Sequence, residues 1–203
     1  MARQLFLSFR PEYFRPLLYN IKKYEYRKKF CTEPATAFLY LSSPLQEVVG
    51  IVEFGTPMKL QELLSHYQEN TAVHNRILCG LGMGDRLAIP ILSLQLYRQP
   101  ITLAKIQQED PKFHVPQSYL DMEKKTRLRD FLLGQPMYDL EFQNSHSSLY
   151  EENLGYSCRE MELFEEFEEK DRIYRSDPKY DSIRSGYLTR KHASGNQPYH
   201  KSE

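Results

Sequence analysis

The sequence predicts an α+β fold, and three observations support that prediction. Residues 3–10 alternate between polar and apolar side chains, which is typical of a strand with one buried face. Two strongly apolar runs, residues 36–41 and 47–54, are predicted to be neighbouring strands because a turn-forming Ser-Ser-Pro sequence lies between them. Residues 60–67 and 72–81 instead carry leucine, valine and isoleucine at helical spacing. Strands and short helices along one stretch of chain indicate a mixed architecture.

A short helix is predicted to follow the first strand and to end abruptly. Pro11 suits a first helical turn, where its missing N–H breaks no hydrogen bond, and residues 12–19 continue the helix. Asn20 lies where the helix should stop, and asparagine tolerates the left-handed conformation found at helix C-termini. A charged strand is predicted next, over residues 23–28. The order of elements is therefore strand, helix, tight stop and charged strand.

The charged strand would present polar groups on one of its faces. Side chains alternate between the two faces of a strand, so Lys23, Glu25 and Arg27 would share one face. Tyr24 and Tyr26 would take the other face and pack there. A row of cation, carboxylate and cation would then point into whatever space the strand borders. A solvent-exposed strand with charge pairs across it would give the same pattern.

Two further elements are predicted before residue 120. A strand over residues 86–97 contains Pro90, which indicates a bulge or an edge position because proline cannot donate to a strand ladder. A short helix over residues 103–108 is predicted to be capped by Thr102.

Several short motifs follow one another in a fixed order across residues 3–120. The first is Ser8-Phe9-Arg10-Pro11-Glu12-Tyr13, and the second is Asn20-x-Lys22-x-x-Glu25-x-Arg27. The others lie at residues 39–44, 48–52, 87–89, 97–103 and 115–119. In this order they resemble the ASCH domain, a branch of the PUA-like superfamily, whose second motif is Gly-x-Lys-x-x-Glu-x-Arg. Asn20 replaces the usual glycine, and since asparagine can adopt positive φ at some cost, the turn should survive.

The resemblance implies a small PUA-like β-barrel with packed helices and a basic cleft between barrel and helices. Proteins of this family are thought to bind RNA or modified nucleosides in that cleft. Cations can contact phosphates or base acceptors, and a carboxylate can accept a hydrogen bond from the exocyclic amine of cytosine. The candidate binding residues are Ser8, Arg10, Lys22, Lys23, Glu25, Arg27, Ser42, Ser43, Gln117 and Ser118. Tyr13, Tyr24, Tyr26 and Tyr40 are candidate stacking faces, although packing inside the barrel is the favoured explanation for most of them.

Two alternatives to a binding module stay open at this point. Some relatives hydrolyse N4-acetylcytidine with a lysine and a threonine in the same motif and a distant glutamate, so Lys22 and Glu25 would be the catalytic candidates. Glu25 occupies the place of the threonine, which removes the hydroxyl nucleophile and favours binding over hydrolysis. Other relatives are transcription-associated regulators that carry a helix-turn-helix, but residues 121–203 contain no convincing one.

Composition limits the remaining possibilities. The formal net charge is zero, so the whole chain is not electrostatically drawn to nucleic acid, yet residues 1–29 carry a local excess of lysine and arginine. No apolar run approaches the length of a bilayer span, and the first residues lack a signal-peptide core. The three cysteines fit neither a metal site nor a disulfide framework. We therefore expect a cytoplasmic protein without a metal or cofactor and without a membrane partner.

The character of the sequence changes after residue 120. Residues 121–156 are predicted to be a helix and linker, and residues 157–175 an acidic amphipathic helix. Residues 176–203 are polar and are predicted to be disordered. One hypothesis is that the acidic stretch 159–174 folds onto the basic N-terminal face and competes with nucleic acid. The alternatives are a solvated helix attached by its apolar stripe and a segment that binds a protein partner.

Overall fold

The computed structural model describes residues 3–145 and 151–194 and has an α+β fold. Within these residues one sheet of eight strands curls into a half-barrel, with helices packed on it. The strands are β1 Arg3–Phe9, β2 Tyr24–Arg27, β3 Ala35–Leu41, β4 Glu47–Phe54, β5 Met58–Lys59, β6 Leu87–Thr102, β7 Tyr119–Asp121 and β8 Met137–Gln143. The α-helices are α1 Phe14–Leu18, α2 Leu60–Leu64, α3 Ala72–Met83, α4 Leu103–Glu109, α5 Thr126–Leu133, α6 Cys158–Met161, α7 Glu165–Ser176 and α8 Asp181–Ser194. Three short 3-10 helices lie at Pro11–Tyr13, Glu151–Asn153 and Pro178–Tyr180.

The long strand β6 organises the sheet. The main strand order is β2-β6-β4-β3-β1-β7, and β5 and β8 also pair with β6. β1 and β3 are parallel, and the other pairs are antiparallel. The register between β4 and β6 shifts beside Pro90, where Glu53 pairs with Ser93 but Phe54 pairs with Ile91. Pro90 therefore marks a bulge, which bends β6 so that its first residues can pair with β2.

Helices cover both faces of the sheet, which explains why β3 and β4 are mostly apolar rather than alternating. One core cluster packs α1 and the C-terminal segment onto the sheet, and a second packs α4 and α5 on the opposite face. A third, smaller cluster joins Tyr24 of β2 to α2 and α3. Leu154, which lies shortly after the second described range begins at residue 151, is fully buried in this third cluster. The C-terminal part of the protein is therefore packed beside the charged strand.

The structure corrects the prediction for residues 121–156. The predicted helix is present as α5, but the region called a linker contains β8, which pairs with β6 in the main sheet. The sheet thus continues past residue 120, the boundary that the sequence motifs indicated. Residues 146–150 of the predicted linker lie outside the described residues.

The predicted disordered tail is also different in the structure. α8 covers Asp181–Ser194, while residues 195–203 lie outside the described part of the chain. Tyr180 and Ile183 are 9% and 4% exposed, so this polar segment is anchored by a few apolar side chains. Arg190 of α8 adds an ion pair of 2.7 Å with the buried carboxylate of Glu47. These few apolar residues are too sparse to produce a helical spacing that could be recognised in a mostly polar sequence.

The predicted acidic helix is present as two helices, α6 and α7, that lie against α1. Met161 and Phe167 from its apolar stripe are buried, but Leu163 is 84% exposed. Asp171 of α7 accepts hydrogen bonds from Arg15 at 2.9 Å and from the hydroxyl of Tyr19 at 2.8 Å. The acidic segment therefore packs on the N-terminal helix and neutralises one of its arginines.

Asp171 should make the docking of α7 sensitive to acid. Burial alone would raise the pKa of Asp171, but hydrogen bonds from Arg175, Tyr19 and Arg15 outweigh it and hold that pKa below its usual value. Replacing Asp171 with Asn should lower the free energy of unfolding at pH 7 by about 1–3 kcal/mol. Because the folded pKa is depressed, this difference should persist down to about pH 4 and shrink below it.

Urea unfolding of both proteins at several pH values measures the effect. Glu165→Gln on the exposed side of the same helix is the control, and it should change little at any pH. A difference between wild type and Asp171→Asn that stayed constant down to pH 2 would contradict this role of the carboxylate.

Candidate functional site

A buried row of charges forms the centre of the candidate site. The Lys22 Nζ lies 3.4 Å from Glu25 Oε2, and the Arg27 Nε lies 3.0 Å from Glu25 Oε1. Lys22 and Glu25 are only 5% and 7% exposed, and the Arg27 side chain is 13% exposed. Each carboxylate oxygen of Glu25 thus faces one cation, and one negative charge holds two positive charges in place.

The turn at Asn20 determines where the charge row lies relative to α1. Asn20 has φ 59°, the left-handed conformation that its position at the end of α1 predicts. The backbone N–H groups of Ile21 and Lys22 both donate to the carbonyl oxygen of Pro16, at 3.1 and 2.9 Å. The chain therefore folds back tightly on α1 and enters β2 at Tyr24.

Arg27 connects the charge row to two of the predicted serines. Its guanidinium donates to Ser118 Oγ at 2.8 Å and to the carbonyl oxygen of Ser8 at 3.0 Å. The Ser8 N–H donates to the Ser118 carbonyl at 2.9 Å, and the Ser8 hydroxyl donates to the carbonyl of Pro116. These contacts tie β1 to the segment before β7 and fix the Arg27 side chain.

The structure separates Lys23 from the row to which the sequence pattern assigned it. β2 begins at Tyr24, so Lys23 precedes the alternating part of the strand, and its ammonium donates to Asn144 Oδ1 at 3.1 Å. The cation beside Glu25 is Lys22 instead. The alternation argument was wrong for Lys23 because it placed the start of the strand one residue too early.

The other predicted binding residues are distributed unevenly. Arg10 lies at the mouth of a cleft beside the charge row, with its side chain 69% exposed. Ser42 and Ser43 belong to the turn between β3 and β4, and neither lines this cleft. Gln117 is exposed next to Ser118 and also does not line it. Of the ten candidates, Arg10, Lys22 and Glu25 line this cleft. Ser8, Arg27 and Ser118 do not line it, but Arg27 joins them to Glu25 through its ion pair and hydrogen bonds. The other four candidates belong to neither set.

The cleft has a volume of ≈ 700 Å³ and lies between β2, α3 and the start of α6. Its described lining includes four basic and two acidic side chains: Arg10, Lys22, Arg76, Arg159, Glu25 and Asp85. Burial raises the pKa of Asp85, and the negative charge of Glu25 raises it further. The lining is thus electropositive, with a carboxylate at its base.

Aromatic rings also border the cleft, and two of the predicted stacking candidates, Tyr13 and the partly buried Tyr26, are among them. Tyr13 is 37% exposed and lines the cleft, whereas Tyr24 and Tyr40 are 1% and 2% exposed and belong to the core. Tyr156, which the sequence did not single out, lines it as well and stacks on Arg76, whose guanidinium carbon lies 4.0 Å from the ring centroid.

Residues 155–159 form one wall of the cleft. The Gly155 N–H donates to the hydroxyl oxygen of Tyr26 at 2.6 Å, and Arg76 Nε donates to the carbonyl of Leu154 at 2.7 Å. Ser157 caps α6, and its own N–H donates to Glu160 in a capping box. Burial raises the pKa of Tyr26, so its hydroxyl stays neutral at physiological pH and can accept this hydrogen bond. We call residues 154–161 the cleft wall.

No local sequence pattern predicts the cleft wall. Gly155 and Tyr26 are 129 positions apart, and no short motif connects them. The capping box Ser157-x-x-Glu160 could have located the start of α6, but not its neighbour. Arg76 and Arg159 were missed for the same reason.

The described residues set two further limits on the protein. Across residues 3–145 and 151–194, no group of three histidine, cysteine, aspartate or glutamate side chains could hold a metal ion. No helix in these ranges is long and apolar enough to cross a membrane.

Comparison with solved structures identifies the type of fold. The ASCH protein of Zymomonas mobilis superposes with a TM-score of 0.50 and 19% identity, over 66% of this chain and 96% of that chain. A mutant form of the same protein gives a TM-score of 0.48 and 17% identity, over 66% and 97% of the two chains. An NMR structure from Rhodopseudomonas palustris gives 0.39 and 14%, over 63% and 92%. No family model and no curated protein matches the sequence.

Proposed function

We propose, on the premise that this chain has the ASCH-type fold, that it is a binding module for single-stranded RNA or a modified nucleotide. The ligand would occupy the cleft beside Lys22, Glu25 and Arg27. The observation that carries the proposal is that two groups of the charge row, Lys22 and Glu25, are nearly buried in the protein yet line a ≈ 700 Å³ cleft.

The position of these charges favours recognition over structural support. Removing three charged groups from water carries a desolvation cost. The attraction between the charges often fails to offset that cost, so the row is expected to add little net stability to the fold. Lys22 and Glu25, which line the cleft, are instead placed to form charge-assisted hydrogen bonds with a ligand that enters it, and Arg27 holds Glu25 in position. A carboxylate flanked by cations suits a base that offers both an amine and acceptor atoms.

The cleft rim fits the rest of a nucleotide. Arg10 and Arg159 are exposed on the rim and would contact phosphate oxygens. Tyr13 and Tyr156 offer ring faces for a base that is not stacked in a duplex. Recognition of an unstacked base favours a single strand as the ligand.

Hydrolysis of an acylated cytidine is the second candidate. Both oxygens of Glu25 already face cations, and Lys22 is its ion-pair partner, which disfavours either group as the proton acceptor of a reaction. Incubation with N4-acetylcytidine tests this candidate directly. Release of acetate by the wild type but not by Lys22→Ala would replace the binding proposal with an enzymatic one.

Fluorescence anisotropy with a labelled single-stranded RNA tests the binding proposal. Arg10→Ala and Arg159→Ala should each weaken binding about 3- to 10-fold and reduce the salt dependence by about 0.7 in slope, because each loses about one phosphate contact. Both side chains are exposed, so the fold should be unaffected.

Arg127→Ala is the matched control for these two variants. It removes the same charge from an exposed position on α5, where the side chain is 79% exposed and lies outside the cleft lining. It should leave the affinity nearly unchanged. If all three variants weakened binding equally, a nonspecific electrostatic effect would account for the result and the cleft assignment would be wrong.

A further inference from the structure

A second cavity, next to the end of β2, has only basic residues among the charged residues of its described lining. It has a volume of ≈ 790 Å³ and is open to solvent. Its lining carries four cations and no carboxylate: Lys28, Lys29, Lys59 and Arg86. We call this cavity the basic groove. It contrasts with the cleft, in which carboxylates and cations are mixed.

The basic groove and the cleft lie on two sides of one ridge. Leu60 lines the cleft, while its chain neighbours Lys59 and Gln61 line the basic groove. In the same way Asp85 faces the cleft, and Arg86 faces the groove. The two cavities are therefore immediate neighbours across the start of α2 and the segment before β6.

β2 also connects the two cavities. It starts just after Lys22, which lines the cleft, and ends just before Lys28, which lines the groove. The six residue steps from Lys22 to Lys28, at a rise of about 3.3 Å each, span at most roughly 20 Å, which is a short distance on the scale of a nucleic-acid strand. Arg27 lies between them, and its carbonyl accepts from the Arg86 N–H at 3.1 Å.

The cations of the groove are accessible to a ligand. Lys28 and Lys29 are exposed. Lys59 pairs with Glu62 at 2.7 Å, but both side chains are about two-thirds exposed, at 69% and 65%, so solvent screens the pair strongly. One nitrogen of Arg86 donates to the carbonyls of Leu81 and Asp85, which holds the guanidinium in a fixed orientation with further donors left for a ligand.

An aromatic ring in the lining distinguishes the groove from an ordinary basic surface. Tyr119 is half-buried and packs on the core residue Phe30, which is 8% exposed, with ring centroids 5.3 Å apart. Single-stranded nucleic acids bind where cations follow the backbone and aromatic rings contact bases. An acidic peptide would use the lysines but would gain less from the Tyr119 ring.

We infer that the basic groove binds the phosphate backbone of the same RNA strand whose base occupies the cleft. The ligand is then a single-stranded oligonucleotide that crosses the ridge, and a free nucleoside fills only part of the site. This inference rests on the proposed function and adds the size class and the path of the ligand.

A length series tests the path. Binding of a mononucleotide, a 3-mer and an 8-mer of one base sequence is measured by competition against a labelled 8-mer RNA. The 8-mer should bind at least about tenfold more tightly than the mononucleotide, because it adds phosphate contacts in the groove. Lys28→Ala/Lys29→Ala should remove most of that gain and lower the salt slope for the 8-mer by about 1.4, at about 0.7 per contact. Its affinity for the mononucleotide should not change.

The control is Lys112→Ala/Lys124→Ala, which removes the same charge from two exposed lysines outside the linings of both cavities. It should bind the 8-mer like the wild type. Equal affinity for the mononucleotide and the 8-mer, or an equal loss in the control, would overturn the inference about the groove while leaving the cleft proposal intact.

A loss of binding in the groove variant without a loss in the cleft variants would distinguish the groove inference from the cleft proposal. If Lys28→Ala/Lys29→Ala weakens binding of the 8-mer but Arg10→Ala and Arg159→Ala do not, the cleft proposal fails, and with it the continuous path. An acidic peptide that displaces the 8-mer as effectively as unlabelled 8-mer would identify a protein partner and overturn the assignment to RNA.

Discussion

Replacing Glu25 with alanine should lower the free energy of unfolding by about 3–5 kcal/mol. Lys22 and Arg27 would then be two buried cations without the carboxylate that now lies 3.4 and 3.0 Å from them. Breaking a buried ion pair costs more than the pair itself contributes, because the remaining charge is desolvated and uncompensated. Urea unfolding followed by circular dichroism measures the change.

Glu62→Ala provides the matched control for Glu25→Ala. Glu62 also pairs with a lysine, at 2.7 Å, but its side chain is 65% exposed, and its loss should cost less than about 1 kcal/mol. The loss in the free energy of unfolding for Glu25→Gln should lie between those of Glu25→Ala and Glu62→Ala, because the glutamine amide oxygen can still accept a hydrogen bond from Arg27. If Glu25→Ala were no more harmful than Glu62→Ala, the charge row would be hydrated, and the argument that it is retained for ligand recognition would be wrong.

Replacing Gly155 with alanine should displace the cleft wall. Gly155 has φ 81°, which is unfavourable for any side chain, and an added Cβ would lie 2.7 Å from Arg76 Cβ. We expect a loss of about 1–3 kcal/mol in the free energy of unfolding. The hydrogen bond from Gly155 to Tyr26 should break, and RNA affinity should fall about tenfold as one wall of the cleft moves.

Gly84→Ala separates backbone strain from the clash. Gly84 ends α3 with φ 99°, but an added Cβ would meet nothing within 4 Å, so only the strain of about 1–2 kcal/mol remains. Hydrogen exchange should show lost protection across the cleft wall in Gly155→Ala and not in Gly84→Ala. Equal protection of the wall in both variants would mean that it does not depend on the contact between Gly155 and Arg76.

Local features of this fold could be predicted from the sequence, because they depend on a few neighbouring residues. Asn20 adopts the positive φ expected of a helix stop, and Thr71 and Thr102 accept the capping hydrogen bonds that their positions favour. The type of fold followed from the order of several such local motifs, and the structural comparison bears it out.

The candidate site could be predicted only in part, because half of it depends on contacts between distant residues. Strand alternation correctly placed Glu25 beside Arg27, but it does not extend to Lys23, which precedes the first residue of β2. The cleft wall depends on packing of Leu154 and on the hydrogen bond of Gly155, and neither has a local signature. The helix α8 was missed because only a few apolar residues anchor it.

The separation between the cleft wall and β2 also sets the time at which the cleft can first exist. Tyr26 leaves the ribosomal catalytic centre 129 residues before Gly155. At about 5–20 residues per second, that interval lasts roughly 6–26 s. During it the nascent chain carries the complete charge row but has no wall to close the site. A growing chain should therefore be unable to capture RNA in the cleft, including the message that encodes it, until residues 154–161 have emerged and docked.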